Sequence, residues 1–324
     1  MFRRNHAKGM GRRMPPAAAW LIVLLLVSAC GSRTDGGQAA DAADGNIRVV
    51  TTIAQIAEPL SVIGGDRVVV QSLMGPGVDP HLYQATLSDV ETLGNADIAF
   101  YNGLHLEANM VRVFEELGNN IPVLAVAAAI PEEKLLHDEE GAVDPHVWFD
   151  IDLWKTALAA ATEEIKRLAP QYADEFDANR EAYFAQMDAL KKEAQDMMAQ
   201  IPENRRVLVT AHDAFGYFGR MLNLRVVGLQ GLSTEDEVGL TDIERTIDLL
   251  VEYQVPAVFV ESSVNPAAIQ AVIEGAKERG LSVRLGGELF SDAMGREGTE
   301  EGTYLGMFRH NVETIYRALS GKDR

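Results

Sequence analysis

Three of the seven histidines sit in settings that suit metal ligation. His81 lies in Val78-Asp79-Pro80-His81-Leu82-Tyr83 and His146 in Val143-Asp144-Pro145-His146-Val147-Trp148, so an Asp-Pro-His triplet recurs after 65 residues. Proline fixes its own φ and drives the preceding Asp toward extended backbone, which holds each histidine on a stiff loop. That Asp can accept a hydrogen bond from a backbone amide or orient a ring nitrogen. His212 follows 66 residues later, directly after the run Val207-Leu208-Val209-Thr210-Ala211. It is expected at the carboxyl end of a strand, where ligands of open α/β sheets collect. A lone histidine is more often structural than a ligand; three at loop or strand exits point to one shared site.

Asp292 is a fourth candidate. It lies in Gly286-Gly287-Glu288-Leu289-Phe290-Ser291-Asp292-Ala293-Met294-Gly295, after a further strand and framed by glycines, where a turn cap is the alternative role. The remaining histidines read differently. His310, in Phe308-Arg309-His310-Asn311, fits a surface or packing position on a helix, and His105 beside Glu107 a structural or supporting one. His137 with Asp138, Glu139 and Glu140 reads as a solvated charged loop.

Such residues need a scaffold, and the chain carries one after a leader. Residues 1–29 have a basic start (Arg3, Arg4, Lys8, Arg12, Arg13; also His6) and the apolar run Ala17 to Val27. That run is too short to span about 30 Å of hydrocarbon, so it reads as a removable signal. It ends in Val27-Ser28-Ala29-Cys30, followed by Gly31-Ser32. Small residues before a cysteine resemble a bacterial lipobox, which implies cleavage before Cys30 and acylation of its thiol. Cys30 is the only cysteine; once lipidated, it leaves neither a disulfide nor a thiolate ligand, so a metal must use imidazole and carboxylate. Residues 30–46, small and polar, read as a flexible tether.

From residue 47 short β-rich runs alternate with helical patterns, the signature of α/β architecture. Strands are expected at residues 47–53, 67–73, 97–101 and 122–126, with helices at 54–63, 87–94, 106–117 and 153–168. The alternation resumes after Pro202, with strands at 206–211, 224–229, 257–261 and 282–285. Helices there fit residues 214–222, 242–253, 266–279 and 301–319. Thr86 with Asp89, and Thr241 with Glu244, have capping-box spacing. Two α/β lobes, 47–169 and 202–324, are thus expected.

Between them, residues 171–201 contain neither Gly nor Pro. Phe176, Tyr183, Leu190 and Met197 form one apolar row and Met187, Ala194 and Ile201 another, at heptad spacing. An oligomeric coiled coil is one reading, but Arg180 interrupts the second row and the heptads are few. A single spine helix over residues 170–201, packed across both lobes of a monomer, fits better. Such a rod predicts limited hinge motion.

Outside the leader the chain keeps 24 Lys/Arg against 48 Asp/Glu. Its field repels nucleic acid and favours cations, which excludes a nucleic-acid partner without naming a metal.

The two Asp-Pro-His motifs, the block Thr210-Ala211-His212-Asp213-Ala214-Phe215-Gly216-Tyr217-Phe218, the Gly-Glu-Leu-Phe-Ser-Asp block, Glu301-Gly302-Thr303-Tyr304-Leu305 and the closing helix from Asn311 to Leu319 together resemble one family. It is the TroA-type zinc and manganese substrate-binding lipoproteins of ABC importers, and the likeness covers about residues 47–320. The resemblance implies that His81, His146, His212 and Asp292 bind the metal, Zn²⁺ or Mn²⁺, as transported cargo in the cleft between two lobes joined by a long helix. It also implies a non-enzymatic role, an extracytoplasmic location and an ABC permease as partner. Zinc-specialised relatives often carry a long His-rich loop before the second ligand, where this chain has only His137-Asp138-Glu139-Glu140-Gly141. Some manganese-selective relatives have Glu where this chain has His212. The metal therefore stays open at this stage.

A secreted metallohydrolase and a surface adhesin are the rival classes. Catalytic zinc usually keeps an open coordination position, whereas four protein ligands close the shell. Neither H-E-x-x-H nor G-x-S-x-G occurs. The anchor is tested by Cys30→Ser: the variant should leave the membrane fraction, and unchanged anchoring with normal processing would contradict acylation at this thiol.

Overall fold

The computed structural model describes residues 45–321. The leader, Cys30 and most of the expected tether lie outside the described residues. In chain order the elements are β1 (Ile47–Thr51), α1 (Ala54–Gly64), β2 (Val68–Ser72), α2 (Leu87–Gly94), β3 (Ile98–Tyr101), α3 (Val111–Leu117), β4 (Val123–Ala125) and α4 (Ile151–Leu168). There follow α5 (Ala173–Met198), β5 (Val207–His212), α6 (Gly216–Leu222), β6 (Arg225–Gln230), α7 (Leu240–Tyr253), β7 (Ala257–Glu261), α8 (Ala267–Glu278), β8 (Arg284–Leu289) and α9 (Tyr304–Ser320).

The first lobe is built on a parallel sheet in the order β2-β1-β3-β4. Its inner strands, Ile-Arg-Val-Val-Thr and Ile-Ala-Phe-Tyr, are covered on both faces and read as nearly continuous apolar runs. The edge strand β2 alternates, with Val69 turned outward. In the second lobe β5 pairs with β6 and β7 with β8, again in parallel, and β5 lies beside β7 although the two pairs form separate ladders.

Local chemistry explains where boundaries differ from expectation. Thr86 and Asp89 close a reciprocal capping box at α2 as read. At α7 the cap lies earlier than expected: the Gly239 N–H donates to the Asp242 carboxylate at 3.0 Å, so Thr241 and Glu244 are already inside the helix. Helix α3 begins later than expected because the preceding loop is committed elsewhere. Leu104 and His105 adopt φ of 53° and 66°, and the buried Glu107 carboxylate accepts from the Asn102 and Gly103 amides at 2.8 and 3.1 Å. Strand β8 runs through the glycine pair that looked like its end. Gly286 is an extra residue opposite the Val258–Phe259 step, and a Cβ there would meet the Phe259 ring at 2.5 Å.

Helix α5 is 26 residues long, about 39 Å, and packs on α1 and α4 of the first lobe and α6 and α9 of the second. It buries Phe176, Tyr183, Met187, Leu190, Ala194 and Met198. Met198 is the fully buried residue of the pair and Met197 packs partly buried against the same core, because an α-helix drifts forward against a strict heptad. Arg180 pairs with Glu163 on α4 and with Asp177, so this surface is satisfied within the chain. Glu58 of α1 binds the spine and the second lobe together. Its carboxylate accepts from the Tyr183 hydroxyl at 2.8 Å and from the Tyr304 amide, at the start of α9, at 3.1 Å. An aromatic seam completes the junction: Phe149 stacks on Phe215 at 4.7 Å, and Phe218 meets Phe308 at 5.3 Å.

The spine is therefore core. Met187→Ala, at a fully buried site, should cost about 2–5 kcal/mol in denaturant unfolding. Lys192→Ala, which breaks a pair whose side chains are 75% and 67% exposed, should cost less than about 1 kcal/mol.

Candidate metal centre

His212 ends a strand and the other three candidates lie on the segments that follow strands, and the fold brings all four together. His81 stands on the loop after β2 and His146 on the segment between β4 and α4; His212 ends β5 and Asp292 follows β8. One ligand atom from each lies within 4.8 Å of the others, and all four residues are buried. His105 and His137 are exposed and outside the cluster. His310 lies against Phe290, its Nε2 3.0 Å from the Glu288 carbonyl oxygen.

The loops are set by short polar contacts. In both Asp-Pro-His motifs the Asp accepts from the histidine's own amide: His81 N to Asp79 Oδ1, and His146 N to Asp144 Oδ1, each at 2.9 Å. Only Asp144 also reaches its ring, 2.7 Å from His146 Nδ1. Gly216 makes room for this carboxylate, since a Cβ there would stand 2.7 Å from Asp144 Oδ2. The Asn102 amide group donates to the Pro145 carbonyl at 3.0 Å. Around Asp292, Trp148 and Gln55 both donate to the Ser291 carbonyl at 3.2 Å. The Asn311 side chain pairs with both backbone groups of Phe290, at 2.9 and 2.7 Å.

Glu261, at the end of β7, was not legible as a site residue. Its Oε2 lies 2.5 Å from His212 Nδ1, and its Oε1 accepts from the His212 amide at 2.9 Å. The sole signal was a carboxylate closing an apolar strand, which is common at any strand exit. With Nδ1 of His146 and His212 facing carboxylates, the neutral rings turn their Nε2 lone pairs inward.

The inward atoms have the spacing of a coordination shell. His81 Nε2 and His146 Nε2 are 3.4 Å apart, and the Asp292 oxygens lie 3.3 Å from His146 Nε2 and 3.2 Å from His212 Nε2. His81 Nε2 is 3.8 Å from Asp292 Oδ2. A tetrahedron with bonds of about 2.0–2.1 Å places neighbouring donors about 3.3–3.4 Å apart. Asp292 is 1% exposed, and neither of its oxygens receives an aligned hydrogen bond among the described residues. A buried carboxylate without donors is costly unless a cation faces it.

Protons fill that role in the metal-free protein. Burial would raise the Asp292 carboxyl, but the facing His212 and His146 hold it well below the usual range. Burial opposes charge on His146 too, yet Asp144 and Asp292 push it up to about 9. His212 is raised well above its ordinary value by Glu261 and Asp292 against the same burial. His81, with no carboxylate behind its ring among the described residues, is lowered by burial to about 4 and stays neutral.

The family model for the periplasmic component A of the zinc-uptake complex, ZnuA, matches residues 49–318. The manganese-binding lipoprotein MntA of Bacillus subtilis is 49% identical over 303 residues, 93% of this chain and 98% of its own. The metal ABC transporter substrate-binding lipoprotein ScbA of Streptococcus cristatus is 29% identical over 311 residues, 92% of this chain and 98% of its own. The solved structure of the periplasmic zinc-binding protein TroA from Treponema pallidum superposes with a TM-score of 0.83 at 47% identity, covering 85% of this chain and all of that one. The fold is theirs, with parallel sheets flanked by helices and a long connecting helix. The chain belongs to this family of metal-binding, substrate-binding components of ABC importers, and it is a transport protein rather than an enzyme.

Proposed function

We propose that the chain holds its divalent cargo through His81, His146 and His212 Nε2 and the Asp292 carboxylate, and releases it to a membrane permease. The observation that carries this reading is the buried, donor-free Asp292 carboxylate opposed by three imidazoles at coordination spacing. The carboxylates of Asp292, Asp144 and Glu261, gathered around the three imidazoles, favour a cation over a neutral or anionic guest.

Zn²⁺ is the tighter cargo in this reading. Three imidazoles and one carboxylate suit it, and the Irving–Williams order places it above Mn²⁺ for such donors. Mn²⁺ enters the same site with a higher coordination number, because Asp292 turns one oxygen toward His146 and the other toward His81 and His212. The relatives are named for both metals, MntA for manganese and TroA for zinc. The mature chain acts as a monomer tethered by lipid on Cys30, with lobes at residues 47–169 and 202–324 about the spine. Support for a monomer comes from the spine's apolar face, which is covered within the chain. No helix among the described residues is long and apolar enough to cross a membrane.

Alanine at His81, His146, His212 or Asp292 should weaken Zn²⁺ binding beyond the roughly 10–100-fold that loss of an outer partner costs. His310→Ala should leave it unchanged. Calorimetry on these variants decides, and a parental isotherm from His212→Ala would remove that residue from the site. The same method tests the protons. His146 and His212 carry them at neutral pH and must give them up, so affinity should keep rising as pH climbs toward about 9. Ordinary imidazoles would level off above about 6.5.

A further inference from the structure

His81 differs from the other two histidines in how it is held. His146 and His212 each have a carboxylate behind Nδ1, Asp144 at 2.7 Å and Glu261 at 2.5 Å, whereas His81 has none among the described residues. What fixes His81 is its main chain. Its amide donates to Asp79 Oδ1 at 2.9 Å, and its carbonyl accepts from Asn109 Nδ2 at 2.9 Å.

Both of those partners also bond to the opposite lobe, and to one segment of it. The Thr234 hydroxyl donates to Asp79 Oδ2 at 2.6 Å, and Asn109 Nδ2 donates to Glu235 Oε1 at 3.0 Å. Thr234 and Glu235 lie in residues 231–239, the connection from β6 to α7. This connection starts beside another ligand, since Gln230 pairs with His212 in the β5–β6 ladder. The Gln230 side chain then donates to the Thr234 carbonyl at 2.8 Å and also reaches the Asp236 carbonyl, which shapes the segment from within.

We propose that residues 231–239 form a strap across the cleft, in which Thr234 and Asp79 are positioning residues that hold the His81 loop against the metal and set how long the cargo stays. The proposal rests on His81 being a ligand. The lobes share an aromatic seam and a rigid spine, so a wide swing is not available to free the ion. Of the three histidines, His81 is the one tied by main-chain bonds alone, and those bonds run through two side chains that the strap holds. Undoing the Thr234–Asp79 bond loosens His81 without disturbing the carboxylates behind His146 and His212. Glu235 is exposed, so its bond to Asn109 contributes less than the part-buried Thr234–Asp79 bond.

The test is the release of Zn²⁺ from loaded protein into excess chelator, followed by stopped flow. Thr234→Val keeps the shape and removes the donor. It should raise the dissociation rate about five- to tenfold, in the range of one ordinary net hydrogen bond between protein groups. The association rate should change less than about twofold, and Thr234→Ser should restore slow release. A dissociation rate within twofold of the parent overturns the strap, as does a failure of Ser to rescue. His81→Ala in the same assay separates the two readings. Loss of binding there with a parental rate in Thr234→Val removes the strap alone, whereas parental binding in His81→Ala removes the site on which it rests.

Discussion

A carboxylate out of reach of water, with no aligned donor of its own, is unstable unless positive charge sits in front of it. Asp292 is in that position, and much of the surrounding structure serves to put it there. The bulge at Gly286 and the clamp of Asn311 on Phe290 place the loop that carries it. Trp148 and Gln55 take up the neighbouring Ser291 carbonyl, so that group stays paired in the buried chain. Three imidazoles supply the facing side; in the metal-free protein the carboxylates around His146 and His212 favour their protonated forms, while burial keeps His81 neutral. On the proposed assignment, the carboxylate that faces protonated imidazoles in the empty form faces the cargo in the loaded one.

The architecture limits how such a site can open. In many two-lobed binding folds a flexible hinge lets the halves swing apart. Here α5 runs through both lobes, Glu58 ties α1 to the start of α9, and Phe149 stacks on Phe215 across the junction. A shared core of this kind resists large rigid-body motion, because its packing would be lost together. Access to the ion then falls to loops at the carboxyl ends of the strands. Of the three histidine loops, that of His81 lacks a carboxylate behind its ring. On the proposed strap, retention and release rest on a few polar contacts at the rim, while the lobes supply a stiff frame.

Much of this was legible in the sequence, for identifiable reasons. The Asp-Pro-His repeat announces itself because proline stiffens the loop that a ligand needs, and His212 because an apolar strand ends on it. The spine was visible from an uninterrupted stretch free of Gly and Pro; the shift from Met197 to Met198 follows from helical drift that a heptad count ignores. Other features were hidden because their meaning is tertiary. Glu261 looks like any strand-ending acid until β7 is laid beside β5. Glu107 sits in what reads as a helix, yet its buried carboxylate binds the amides of Asn102 and Gly103 and delays α3. The Gly286-Gly287 pair suggests a strand end, and only pairing with β7 exposes it as a bulge.

The central claim is that one shell, made of three imidazoles and a single buried carboxylate, holds the cargo whichever divalent metal is offered. Anomalous diffraction from crystals loaded with Zn²⁺, with Mn²⁺, and with both at equal concentration tests it most directly. The account predicts one peak in every case, bonded to His81, His146, His212 and Asp292, with zinc prevailing in the mixture. Ions on different residues, or manganese displacing zinc at equal concentration, would contradict it.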